Sequence, residues 1–150
     1  MEVRRIVLRE PHLGLRNMLE HTKTLAILGA GLNEQKPAHR LFHDLNGRGW
    51  TLIPVHPNDK GNILSNNIVS TIEPTSVSVV VFFLSPQQTM AQLRSFEARL
   101  LNKPFPFIWL QPGAADDFVL EWLNLNDVPH VVDDCVVEFI RRHHLYSSVK

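Results

Sequence analysis

Between residues 24 and 132 the chain alternates short, continuously apolar runs with longer segments whose apolar residues recur at helical spacing. Thr24-Leu25-Ala26-Ile27-Leu28-Gly29, closed by glycine, reads as a buried strand. Gly29 to Lys36 reads as a loop, and Pro37 suits the first helical position, where its missing N–H leaves no bond unmade. That helix turns Leu41, Phe42 and Leu45 inward and ends around Gly47 and Gly49. Trp50 to Val55 is a second strand, stopped by Pro57. A loop from Asn58 to Asn67 follows, then a weak element near Ile68 to Ile72 that Pro74 ends. Val77 to Leu84 is β-branched, aromatic and unbroken, as in a strand buried on both faces. Pro86 opens a helix with Met90, Leu93, Phe96 and Leu100 inside, and Phe105 to Leu110 is the next strand. Ala114 to Leu125 reads as a helix with Phe118, Leu120, Trp122 and Leu123 as its apolar contacts. His130 to Val132 is the last strand, and a helix from about Asp134 to His143 follows. Upstream, Leu13, Leu15, Met18 and Leu19 suggest a short amphipathic helix. Residues 1–22 therefore read as an N-terminal helical extension and 23–145 as one domain.

Alternating apolar strands and helices predict βαβ units and a mostly parallel sheet. Strands this apolar leave no face for water, so helices must cover both sides: a three-layer, doubly wound α/β domain. The connections are expected to reverse between the first strand and the Val77–Leu84 strand, and ligands in such sheets sit beyond the strand carboxyl ends at that reversal. The predicted mouth is made by Gly29 to Lys36, His56 to Asn58, Leu84 to Pro86 and Gln111 to Gly113.

Composition narrows the classes. At 150 residues the chain can bury a core without disulfides or metals. Fifteen basic residues balance fifteen acidic ones, which is not the footprint of a nucleic-acid binder. The longest apolar run, Val79 to Leu84, falls far short of the roughly 20 residues that span a bilayer. Arg4, Arg5, Arg9, Glu10 and Pro11 leave no secretory apolar segment near the start. With Cys135 alone no internal disulfide forms, and a cytoplasmic location is expected.

Gly29-Ala30-Gly31 stands between a predicted strand and a predicted helix, where small residues let backbone approach a phosphate and the helix start favours an anion. Lys36 and Arg40 add positive charge there. A nicotinamide-dinucleotide site fits less well. The third glycine of that fingerprint is Glu34, and the second strand ends in Val55-His56-Pro57-Asn58 without the acidic residue that holds a ribose. Asp59 lies beyond a proline and reads as poorly placed.

Lys23 to Gly29, then Lys36-Pro37-Ala38-His39-Arg40, then Ile53-Pro54-Val55-His56-Pro57-Asn58 resemble successive motifs of the small CoA-binding Rossmann proteins. That family is similar in turn to the CoA-binding domain of succinyl-CoA synthetase α-subunits. Trp109-Leu110-Gln111-Pro112-Gly113 and Asp133-Asp134-Cys135 fall where the family has a W-x-Q-x-G motif and an aspartate–arginine–cysteine motif. The resemblance covers about residues 22 to 140 in order and spacing. It implies a single Rossmann-like domain that binds coenzyme A, or an acyl-CoA, through its ADP part, with no established reaction. Carried over by position, Gly29, Ala30 and Gly31 line the pyrophosphate loop, Lys36 and Arg40 lie near phosphate, and Pro57 and Asn58 flank the adenosine, beside His56. Leu84, Ser85, Gln111 and Gly113 complete the expected mouth. Homodimerisation is a further expectation of the family.

Four positions depart from the family's pattern. Gly31 stands for a serine, Leu84-Ser85 for an arginine pair, Asp134 for an arginine and Val137 for a lysine. A charge-assisted phosphate contact contributes about 1.5–3 kcal/mol, so losing two is expected to weaken CoA about 100-fold or more. A degenerate member acting as an interaction or scaffold protein is therefore the alternative reading, ahead of an NAD(P)-binding enzyme.

Other chemistry finds little support. His39 and His43 lie one helical turn apart, but no third ligand completes a metal site. His56 lacks a carboxylate or nucleophile at a fixed spacing. Cys135 reads first as a small buried hydrophobe, with Asp133 or Asp134 as N-cap of the last helix. Asp116-Asp117 suit a helix start, and Arg141-Arg142-His143-His144 suit a helix end. No complete triad, metal set or acid–base pair emerges, so no catalytic residue is assigned.

Overall fold

A parallel five-stranded sheet forms the centre of a computed structural model that describes residues 18–19 and 22–145. Its strands are β1 (Thr24–Leu28), β2 (Thr51–Val55), β5 (Val79–Phe82), β6 (Phe107–Leu110) and β7 (His130–Val132), in the spatial order β2-β1-β5-β6-β7. A two-stranded antiparallel hairpin, β3 (Asn62–Ile63) and β4 (Asn66–Asn67), occupies the segment that the sequence assigns to plain loop. Four helices follow the strands: α1 (Pro37–Leu45), α2 (Pro86–Leu100), α3 (Asp117–Leu125) and α4 (Val136–Arg142). β1 pairs with β2 from Thr24↔Thr51 to Leu28↔Val55 and with β5 from Ala26↔Val80 to Leu28↔Phe82. The order therefore reverses between β1 and β5, as the crossover reasoning requires.

Side-chain alternation along these strands divides the apolar residues into two cores. Leu25, Ile27, Val79, Val81 and Trp109 face Leu41, Phe42 and Leu45 of α1 and Phe139 and Ile140 of α4. Ala26, Leu28, Val80, Phe82, Ile108 and Leu110 face Leu93 and Phe96 of α2 and Val119 and Leu123 of α3. The result is a three-layer, Rossmann-like α/β domain with α1 against α4 on one face and α2 against α3 on the other.

Local expectations are corrected at the starts of α3 and α4. Phe118 is 61% exposed, while Val119 and Leu123 point into the core. The Asp116 side chain caps α3 by accepting the Val119 N–H at 3.0 Å, which starts the helix later than Ala114 and turns Phe118 outward. Neither Asp133 nor Asp134 caps α4, whose N-cap is Cys135 without a side-chain bond. Instead the Val136 N–H donates to Gln111 Oε1 at 2.9 Å, and Asp134 faces Arg142 at 3.6 Å. Of the N-terminal helix, Leu13 and Leu15 lie outside the described residues; Met18 and Leu19 are helical and Leu19 is fully buried.

Candidate functional site

The β1–α1 connection is shaped by its glycines. Gly29 has φ +95°, and a Cβ there would run into the Phe83 carbonyl oxygen. Its N–H donates to Val55 O at 3.0 Å and that of Ala30 to the same oxygen at 3.2 Å, so the turn is fastened to the end of β2. Gly31 lies against the β2–β3 loop, where a Cβ would meet the Asp59 carboxylate and sit 2.7 Å from His56 Cδ2.

His56 organises that second loop. Its Nδ1 accepts the N–H of Asn58 at 3.2 Å and of Asp59 at 3.0 Å. Two donors converging on one nitrogen assign the ring proton to Nε2. The Asp59 carboxylate then reaches across 27 residues of sequence, and its Oδ2 accepts the Leu32 N–H at 2.8 Å. The anion resting on the glycine loop is thus one of the chain's own side chains. His39, on α1, is buried and places Nδ1 3.1 Å from the Gly31 carbonyl oxygen, tying the helix to the same loop.

Above the strand ends these loops enclose a cleft of about 690 Å³. Eight of the expected site residues line it: Gly29, Gly31, Lys36, His56, Pro57, Asn58, Leu84 and Gly113. Four do not. Ala30 is fully buried in the core, Arg40 is exposed elsewhere on α1, Ser85 caps α2 and Gln111 caps α4. Trp109 acts beside Gln111, donating its Nε1–H to Asp134 O at 2.7 Å, so the W-x-Q pair holds the start of α4. Asp59, Gln88 and Gln92 line the cleft without having been anticipated. The helical spacing of Gln88 and Gln92, one turn apart behind Pro86, was a usable signal for the glutamines; Asp59 had none. Among the described lining residues Lys36 is the one lysine or arginine and Asp59 the one carboxylate. Among the described residues, no group of three or more His, Cys, Asp or Glu side chains converges on a metal position, and no helix is long and apolar enough to cross a membrane.

Residues 23–139 match the family model described as CoA binding domain. The chain belongs to this CoA-binding domain family. Solved structures agree in fold. A Thermus thermophilus protein is 28% identical over 90% of this chain and 98% of its own, with a TM-score of 0.73. A hypothetical protein from Pyrococcus horikoshii is 20% identical over 87% and 90%, with a TM-score of 0.72. One from Pyrococcus furiosus is 24% identical over 77% and 97%, with a TM-score of 0.64. No curated protein matches the chain. Membership in the CoA-binding family fits a cleft at the topological reversal of the sheet.

Proposed function

We propose that this cleft binds coenzyme A or an acyl-CoA through its ADP part and does not transform it. The observation that carries the reading is position: the family's domain places an open cleft beyond the ends of β1 and β5, where the strand order reverses. Lys36 supplies the phosphate contact, and the Gly31 N–H, which makes no hydrogen bond among the described residues, supplies a backbone donor beside it. Pro57 and Asn58 flank the adenosine, with Leu84 and Gly113 opposite. A binding role without chemistry is supported by His56, whose Nδ1 is committed to two backbone amides. The ligand is a small molecule, with no role for nucleic acid or membrane; a cytoplasmic homodimer is the assembly we expect.

Titration calorimetry of the full chain with CoA, repeated at high salt and with adenosine, tests this. A saturable, salt-sensitive signal with CoA that adenosine lacks is the expected result. Lys36→Glu should weaken CoA by at least about tenfold, whereas Arg40→Ala, away from the lining, should change it little. Absence of binding to CoA and acyl-CoA at millimolar concentration would overturn the reading in favour of a scaffold role.

A further inference from the structure

We infer that Asp59 makes this cleft select ADP-containing ligands whose ribose hydroxyls are free over those that carry a 3′-phosphate. The inference rests on the ADP reading above and concerns the same site. An ordinary surface aspartate would swing away from an incoming phosphate. This one is held at both ends: its N–H donates to His56 Nδ1 at 3.0 Å, and its Oδ2 accepts the Leu32 N–H at 2.8 Å. Gly31, lacking a Cβ, leaves the room in which the carboxylate lies. The other oxygen, Oδ1, accepts no hydrogen bond among the described residues. His56 Nδ1, 3.8 Å from it, already accepts two amides and offers it no proton.

The carboxylate of this lining residue is therefore held in place with one oxygen unfilled, just past the end of β2. In nucleotide-binding sheets of this kind that is where the adenosine ribose is held, and an acidic group there takes ribose hydroxyls. A hydroxyl donates to Oδ1 at no electrostatic cost. A phosphate dianion in its place meets a like charge that cannot retreat, and Lys36, the one lysine or arginine among the described lining residues, is also needed by the pyrophosphate. Lys60, the next residue, does not line the cleft.

The experiment is calorimetry of the full chain with CoA and with dephospho-CoA, which differ only in the 3′-phosphate. Wild type should bind dephospho-CoA about tenfold more tightly, as expected for a carboxylate and a dianion about 6 Å apart in water. The ratio should shrink as salt is added. Asp59→Asn keeps an oxygen to accept the Leu32 N–H while removing the charge, so it should bring the two affinities together by strengthening CoA. Equal or tighter binding of CoA by wild type, or an equal gain for both ligands in the variant, would overturn the inference and leave the ADP reading standing. If the variant does not fold, the wild-type ratio and its salt dependence decide alone. Failure of wild type to bind either ligand would overturn both.

Discussion

Glycines in this chain answer to different demands, and substitution separates them. Gly29 needs both its positive φ and the space beside Phe83, whereas Gly113 has φ +91° with nothing near its missing Cβ. Gly29→Ala should therefore cost about 3 kcal/mol in urea unfolding and Gly113→Ala only about 1 kcal/mol. Gly31 lies outside the left-handed region. From sequence, Gly31→Val blocks a phosphate. In the structure the added carbons strike Asp59 and His56 first, so the change acts by displacing the chain's own carboxylate. Gly31→Ala should break the Leu32–Asp59 bond, read as lost hydrogen-exchange protection at the Leu32 amide. An unchanged amide would refute that account.

Helix starts show how elements are seated. Asp116 and Ser85 cap their own helices in the usual way, Ser85 within a capping box with Gln88. Asp116→Ala should cost about 1 kcal/mol. α4 instead takes its cap from Gln111, 25 residues upstream on the neighbouring strand end. Gln111→Ala leaves a buried N–H unpaired and should cost about 1–3 kcal/mol, while Asp134→Ala should stay within about 1 kcal/mol of wild type, because its pairing with Arg142 is half-exposed. Equal losses in the two variants would show that Asp134 caps α4 in solution. These elements also mark how much was legible. Pro37 and Pro86 open helices where the sequence placed them, because proline's missing N–H suits only that position. Apolar spacing locates α3 but not its phase, which Asp116 sets, so Phe118 faces outward.

At the scale of the molecule, both faces of the sheet are closed by helices, and the cleft opens where the strand order turns. Truncation in either core should be felt throughout: Ile27→Ala, from a fully buried position in β1, which is paired on both sides, should cost about 2–5 kcal/mol without redirecting the fold. Binding is linked to the same equilibrium. CoA at about 100 times its dissociation constant should add about 2.7 kcal/mol to the unfolding free energy, measurable by denaturation at fixed ligand concentration.

The five strands of the parallel sheet, the four helices, the point of reversal and the four loops at its mouth follow from the order of residues alone, whereas the β3–β4 hairpin does not. Burial and local geometry write those features into short stretches, where apolar alternation, glycine and proline act on their immediate neighbours. Only the folded chain decided which of those loop residues meet. Asp59, dismissed in sequence because a proline precedes it, arrives at Leu32 through a turn built on His56. Arg40 leaves the mouth because α1 turns it outward, and Gln111 becomes a helix cap. Such meetings depend on loop closure and helix phase across 25 or 27 residues, quantities that no local pattern encodes.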